Sequence, residues 1–151
     1  MLFKQAALGD EKWFGTYKNV EASSLTTGYL VALAAAAASF NATNVCLAGT
    51  AATGRQINWI GVAAQDIAPN AYGLVQTGGL CASVFLSNVG TSLTITLGDA
   101  MVPGALAGGA FCAVPTWLNS GFAALICVSF GGSLGAVSSA GYATAYMKHG
   151  L

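Results

Sequence analysis

Short apolar runs make up most of the chain after residue 21, and Gly, Asn, Ser and Thr interrupt them about every eight to twelve residues. This spacing is typical of an all-β barrel or sandwich. Alternation is clearest in residues 93–97, where Leu93, Ile95 and Leu97 share one face of a strand. The pattern predicts strands at 29–33, 45–47, 57–63, 72–77, 81–86, 93–97, 110–114, 123–130 and 142–148.

A run of five alanines, residues 34–38, is the main ambiguity in this pattern. Alanine is the best helix former, but the run has no lysine or glutamate on a polar face. We expect the strand at 29–33 to lead into a loop here. The apolar stretches 25–40 and 121–137 are alanine-rich or broken by glycines and lack flanking basic residues, so we expect no membrane association. A small membrane protein remains an alternative.

Two segments carry turn signals. In residues 68–71, proline at the second position and Asn70 at the third predict a tight turn. Residues 77–79, Thr-Gly-Gly, predict a flexible break between two strands. Together these elements predict a mainly β protein with a single compact β-barrel or sandwich-like domain.

Charge is scarce and unevenly distributed. Five basic and five acidic residues give a net charge of zero, and 7% charged residues is far below the ~25% of a soluble domain. Nothing in this balance directs the chain to nucleic acid or to an anionic membrane. A nearly uncharged monomer is poorly protected from association, so the composition favours a homo-oligomer or a larger assembly.

The first 21 residues hold six of the ten charged residues. We therefore expect an extended N-terminal arm at 1–21 and a β domain at 22–151. The candidate interface residues are Trp13, Phe14 and Tyr17, because aromatic anchors within a polar rim are typical of protein interfaces. The alternatives are a merely solvated segment and aromatics that cap the domain's own core.

No catalytic, cofactor or metal site is expected. The single histidine, His149, is close to the end of the sequence, and Asp66 and Asp99 stand at ordinary turn positions. The glycine-rich segments lack the lysine or the acidic partner of a nucleotide site. The four cysteines are far apart without a C-x-x-C pair, so we expect core thiols in a reducing cytoplasm rather than zinc ligands or disulfides.

Residues 60–79, Ile-Gly-Val-Ala-Ala-Gln-Asp-Ile-Ala-Pro-Asn-Ala-Tyr-Gly-Leu-Val-Gln-Thr-Gly-Gly, carry a family resemblance. They resemble a pattern of bacteriophage head decoration (cement) proteins and related phage structural proteins: a strand ending in G-V-A, a short acidic turn, and an aromatic-Gly-x-Val-Gln strand. Looser similarity extends to 25–33 and 95–104. The chain departs from that pattern in its few charges, its cysteines, Asn70 where glycine is common, and the stretch from Trp117 onward.

This resemblance implies a structural virion protein rather than an enzyme. It implies a compact β domain, often a trimer, that binds the outer surface of an icosahedral shell and stabilises the major capsid protein. The expected location is the capsid surface, after assembly in the host cytoplasm. A phage tail or fibre component is the first alternative, since it would share the β texture.

Overall fold

The computed structural model describes residues 2–7, 10–36, 39–48, 59–87, 100–103, 110–112, 127–129 and 140–147. Every regular element within these ranges is a β-strand, which confirms the mainly β prediction. The strands are β1 (Leu2–Ala7), β2 (Asp10–Asn19), β3 (Leu30–Ala36), β4 (Ser39–Leu47), β5 (Trp59–Ala63), β6 (Tyr72–Ser87), β7 (Ala100–Pro103), β8 (Ala110–Cys112), β9 (Cys127–Ser129) and β10 (Ala140–Met147).

The described strands are hydrogen-bonded in the order β1-β2-β4-β3-β5-β6-β10-β9-β7-β8. Most neighbours are antiparallel, but β2–β4 and β6–β8 are parallel, so the sheet is mixed. A further pairing between β2 and β6 closes the circuit β2-β4-β3-β5-β6 on itself, as in a small barrel. This closure removes free edges from the strands that hold most of the described core.

The expected N-terminal arm is corrected by the structure. Residues Asp10–Asn19 form β2, which pairs along one edge with β6 and along the other with β1 and then β4. Asn19 at its end is completely buried. The charged residues that suggested an arm lie on a strand, in which successive side chains point to opposite sides. Lys12 and Lys18 share the side opposite Tyr17.

Strand β3 is buried on both faces, since Leu30, Val31 and Ala32 have no exposed surface. Its two sides contact two apolar clusters. One consists of Leu25, Val31, Val45, Ala63, Ile67 and Val75. The other consists of Leu30, Ala32, Cys46, Ala48, Val62, Cys81, Val84, Leu86, Ala145 and Met147. Burial on both faces explains why this segment is apolar without alternation.

The loop expected after residue 33 is wrong for residues 34–36. Strand β3 continues to Ala36, where its backbone pairs with β4 at Ala35↔Phe40 and Ala36↔Ser39. Small side chains are compatible with a strand whenever neighbouring backbones supply the hydrogen bonds, so the helix propensity of alanine does not decide the structure here.

The break expected at 77–79 is also wrong, because β6 is one strand of 16 residues. The register shifts between the pairs Trp13↔Gly78 and Phe14↔Gln76, so Thr77 is the extra residue of a β-bulge. The side chain of Gln76 is buried and its Nε2 donates to the carbonyl oxygens of Gly78 (3.1 Å) and Leu80 (3.0 Å). The glycines therefore bend the strand rather than end it.

The turn predicted at 68–71 is confirmed. The Ala71 N–H donates to the Ala68 carbonyl at 3.1 Å, and Asn70 has a φ of 60°. Cys46 and Cys81 are buried thiols, as expected; the expectation for Cys112 and Cys127 remains a prediction. Several earlier expectations fall outside the described residues: the strand at 93–97, Asp99, Trp117 and His149.

Candidate interaction surfaces

The three aromatic residues of the predicted interface do not form one cluster. Trp13 and Tyr17 occupy the same side of β2, and Tyr17 packs against the cluster that contains Val75. The Tyr17 ring lies over Gly15, and burial raises the pKa of Tyr17. Phe14 lies on the opposite side of the strand. Tyr17 is thus part of the domain's own packing.

Phe14 lies on the side of β2 that also carries Thr16 and Lys18, here named the β2–β6 face. Directly paired residues of antiparallel strands point to the same side, so the pairs Thr16↔Leu74 and Lys18↔Tyr72 share the side of Phe14. Thr16 is exposed, Leu74 is half-buried and Tyr72 is 64% exposed. The β2–β6 face thus consists of Phe14, Thr16, Lys18, Tyr72 and Leu74.

A second surface, here named the tyrosine surface, consists of Tyr29, Phe85 and Tyr142. Phe85 stacks on Tyr29 with ring centroids 4.6 Å apart and planes 17° apart. Phe85 also contacts Tyr142, its directly paired residue on β10, with centroids 5.4 Å apart and planes tilted by 50°. Phe85 is buried, whereas Tyr142 is 51% exposed. The buried ring therefore holds an aromatic residue that solvent and partners can reach.

Gly28 lies against the ring of Tyr142. It has a φ of 87°, its N–H donates to Ala63 O at 2.8 Å, and its carbonyl accepts from the Phe85 N–H at 2.8 Å. A Cβ atom at this position would lie 2.7 Å from Cε1 of Tyr142. Glycine is required here both by the backbone conformation and by the position of the ring.

A carboxylate, that of Asp66, is bound to Thr27, the residue before Gly28. Asp66 Oδ1 accepts hydrogen bonds from the Thr27 N–H (2.7 Å) and the Thr27 hydroxyl (2.8 Å), and these bonds lower the pKa of Asp66. Tyr142 has a raised pKa, first because of partial burial and then because of Tyr29 and the negative charge of Asp66. The tyrosine surface therefore combines an exposed aromatic ring with an ionised carboxylate.

No direct signal in the sequence indicates this surface. Tyr29 precedes β3, Phe85 lies on β6 and Tyr142 lies on β10, and each fits a strand pattern by itself. The one local hint is Gly28 immediately before an aromatic residue. Only the pairing of β6 with β10 and the Gly28–Phe85 hydrogen bond bring the three rings together.

Among the described ranges there is no group of three or more His, Cys, Asp or Glu side chains able to hold a metal ion. The same part of the chain contains no helix with the length and apolar character needed to cross a bilayer. Comparison with protein-family models finds none that matches this chain. Comparison with curated protein sequences likewise finds no match.

Proposed function

We propose that this chain is a structural virion protein, a capsid decoration protein that binds the outer surface of a viral shell and stabilises it. The observation that carries the proposal is a pair of well-exposed tyrosines, Tyr72 at 64% and Tyr142 at 51%, on a chain with very few charges whose described elements are all strands. Both belong to sheet surfaces rather than to loops.

The physical argument is that such a surface suits association. Tyrosine supplies a large contact area at a low cost in side-chain entropy, and it is enriched at the energetic centres of interfaces. Charged residues are depleted there, as they are on this chain. The strands beneath Tyr142 are fixed by Phe85 and Gly28, so little ordering is required on binding.

The resemblance of residues 60–79 to phage decoration proteins gives the proposal its specific form. In this chain those residues form β5, the turn containing Asn70, and the first half of β6. On this basis we propose the major capsid protein as the partner and a homotrimer as the assembled state, located on the virion surface after assembly in the cytoplasm.

The proposal assigns the chain no reaction. The most distinctive carboxylate in the described part, Asp66, has a lowered pKa because of its two Thr27 hydrogen bonds, so it is ionised at neutral pH and unsuited to act as a general acid. We propose that this residue shapes a contact surface rather than a catalytic centre.

The test is whether the chain is a constituent of virus particles. Particles purified from the source culture are analysed for the number of copies of the chain relative to the shell protein, and labelled antibody locates it by electron microscopy. The proposal expects stoichiometric copies on the head. Copies confined to the tail would support the tail or fibre alternative instead, and absence from particles would refute both.

Variants make the test specific to the exposed tyrosines. Tyr72→Ala and Tyr142→Ala are each compared with Ala82→Ser, which changes an exposed position on β6 without removing an aromatic ring. If either tyrosine is an interface anchor, its truncation weakens particle binding by about ten-fold or more, whereas Ala82→Ser leaves it unchanged. Wild-type binding by both tyrosine variants would contradict the assigned surface.

A further inference from the structure

The chain segments around the tyrosine surface carry acidic but no basic residues. Residues 20–36, 59–87 and 140–147 contain Glu21 and Asp66, and no Lys or Arg. Asp66 is joined through Thr27 to Gly28, and Gly28 is in contact with the Tyr142 ring. The Asp66 carboxylate is therefore hydrogen-bonded to Thr27, and the Tyr142 ring lies against the next residue of the same turn, Gly28.

We propose that the tyrosine surface is the docking site for a basic side chain, arginine or lysine, on the assembly partner. A cation is attracted to the face of a tyrosine ring, and a planar guanidinium can stack on the ring while it donates to a carboxylate. Both described donors to Asp66 bond to Oδ1, so Oδ2 is left for a donor from outside.

The surface is organised before any partner arrives. Phe85 is buried and contacts both tyrosine rings, Gly28 is fixed by two backbone hydrogen bonds, and Thr27 holds the Asp66 carboxylate. Because these groups are already ordered, a cation gains the ring and carboxylate interactions at a small entropic cost. This arrangement distinguishes Tyr142 from Tyr72, which pairs with Lys18 and so has a cation beside it already.

The occupant we assign is a separate partner, and its identification with a shell protein rests on the proposed function. The described segments around the tyrosine surface carry Asp66 and no Lys or Arg, so a basic residue on the partner complements its charge. A second copy of this chain also carries basic residues and is the competing occupant that the sedimentation experiment tests.

The closing experiment titrates the full chain with the peptide acetyl-Gly-Arg-Gly-amide and follows it by NMR. Saturable shifts are expected at Thr27, Gly28, Asp66 and Tyr142. Asp66→Asn and Tyr142→Leu should each weaken binding by about three- to ten-fold, as expected for one cation–π or ion-pair contact. Ala82→Ser, at an exposed position on β6 with no assigned role in binding, is the control and should bind as the wild type does. Asp66 is exposed, so the Asn variant retains the fold even if Tyr142→Leu does not.

Two outcomes overturn the inference: equal binding of the norleucine peptide acetyl-Gly-Nle-Gly-amide, or shifts at Tyr72 rather than at Tyr142. Sedimentation distinguishes the sources of the cation. Loss of self-association in Asp66→Asn, with competition by the arginine peptide, would show that a second copy is the occupant and overturn the assigned partner. Peptide binding without any copies on particles would uphold the cation site and refute the proposed function.

Discussion

Gly79 lies directly against the backbone of Glu11: a Cβ atom at position 79 would overlap the Glu11 carbonyl oxygen. Gly79 also has a φ of 84°, which side chains with a Cβ rarely adopt. It follows the bulge at Thr77, where β6 passes from its pairing with β2 to its pairing with β10. Because Gly79 has no side chain, β6 can pair with β2 before this position and with β10 from this position onward.

Gly79→Ala should lower the free energy of unfolding by at least about 1–3 kcal/mol, because both the backbone conformation and the contact with Glu11 become strained. Chemical denaturation followed by circular dichroism measures the change. Ala82→Ser, at an exposed position on the same strand, should stay within about 0.5 kcal/mol of the wild type. An alanine variant as stable as the wild type would show that Gly79 and Glu11 are not closely packed.

Asn70 offers a matched pair of substitutions at one turn. Its φ of 60° belongs to the left-handed region, and its N–H donates to the Asn19 carbonyl at 2.9 Å. Asn70→Gly should leave stability unchanged or slightly raised, whereas Asn70→Ala should be about 1 kcal/mol less stable than the glycine variant. Thermal or urea unfolding of the two variants checks the difference. Equal stability would mean that the turn has another conformation in solution.

The strand pattern and the turn chemistry were predictable because both are local. Glycine spacing and the Pro69–Asn70 pair require no knowledge of distant residues. The alanine run and the glycine pair at 78–79 were misinterpreted for the opposite reason: their structure depends on partners elsewhere in the chain. Ala35 pairs with Phe40, and Gly79 is accommodated by β2.

The candidate surfaces were even less accessible from the sequence. The concentration of charge in the first 21 residues suggested a segment separate from the domain. Tyr17 nevertheless packs against the core cluster that contains Val75 of β6. The tyrosine surface depends on a turn glycine, Gly28, and on a cross-strand pair, Phe85↔Tyr142, that no spacing rule identifies. Non-local pairing decides which aromatics are exposed together.

The hydrogen bonds from Thr27 to Asp66 predict a pH dependence. Because they lower the pKa of Asp66 in the folded state, the carboxylate stabilises the fold above its unfolded-state pKa, and this contribution is lost as the pH falls through the folded value. The stability difference between wild type and Asp66→Asn should therefore be present near neutral pH and disappear below about pH 4. Urea unfolding at several pH values measures it.

Thr27→Ala is the control for this pH effect, since it removes the hydroxyl donor but keeps the backbone N–H. It should show a smaller pH-dependent loss than the wild type. Because Asp66 is fully exposed, solvent screens the interaction and the difference should be modest. A stability difference that does not change between neutral and acidic pH would contradict the assigned role of these bonds.

Truncation distinguishes an N-terminal arm from a strand of the domain. Deleting residues 1–17 removes most of β2 and leaves one edge of β6 unpaired along Gly73–Gly78, so the chain should lose its β spectrum and its cooperative unfolding transition. Deleting residues 1–7 removes β1 alone, which pairs with β2, and should preserve both. Circular dichroism and urea unfolding of the two truncated chains provide the measurement. If the 1–17 deletion still unfolds cooperatively with a β spectrum, β2 is dispensable and the arm expected from the charge distribution is restored, with Trp13 and Phe14 again its anchors.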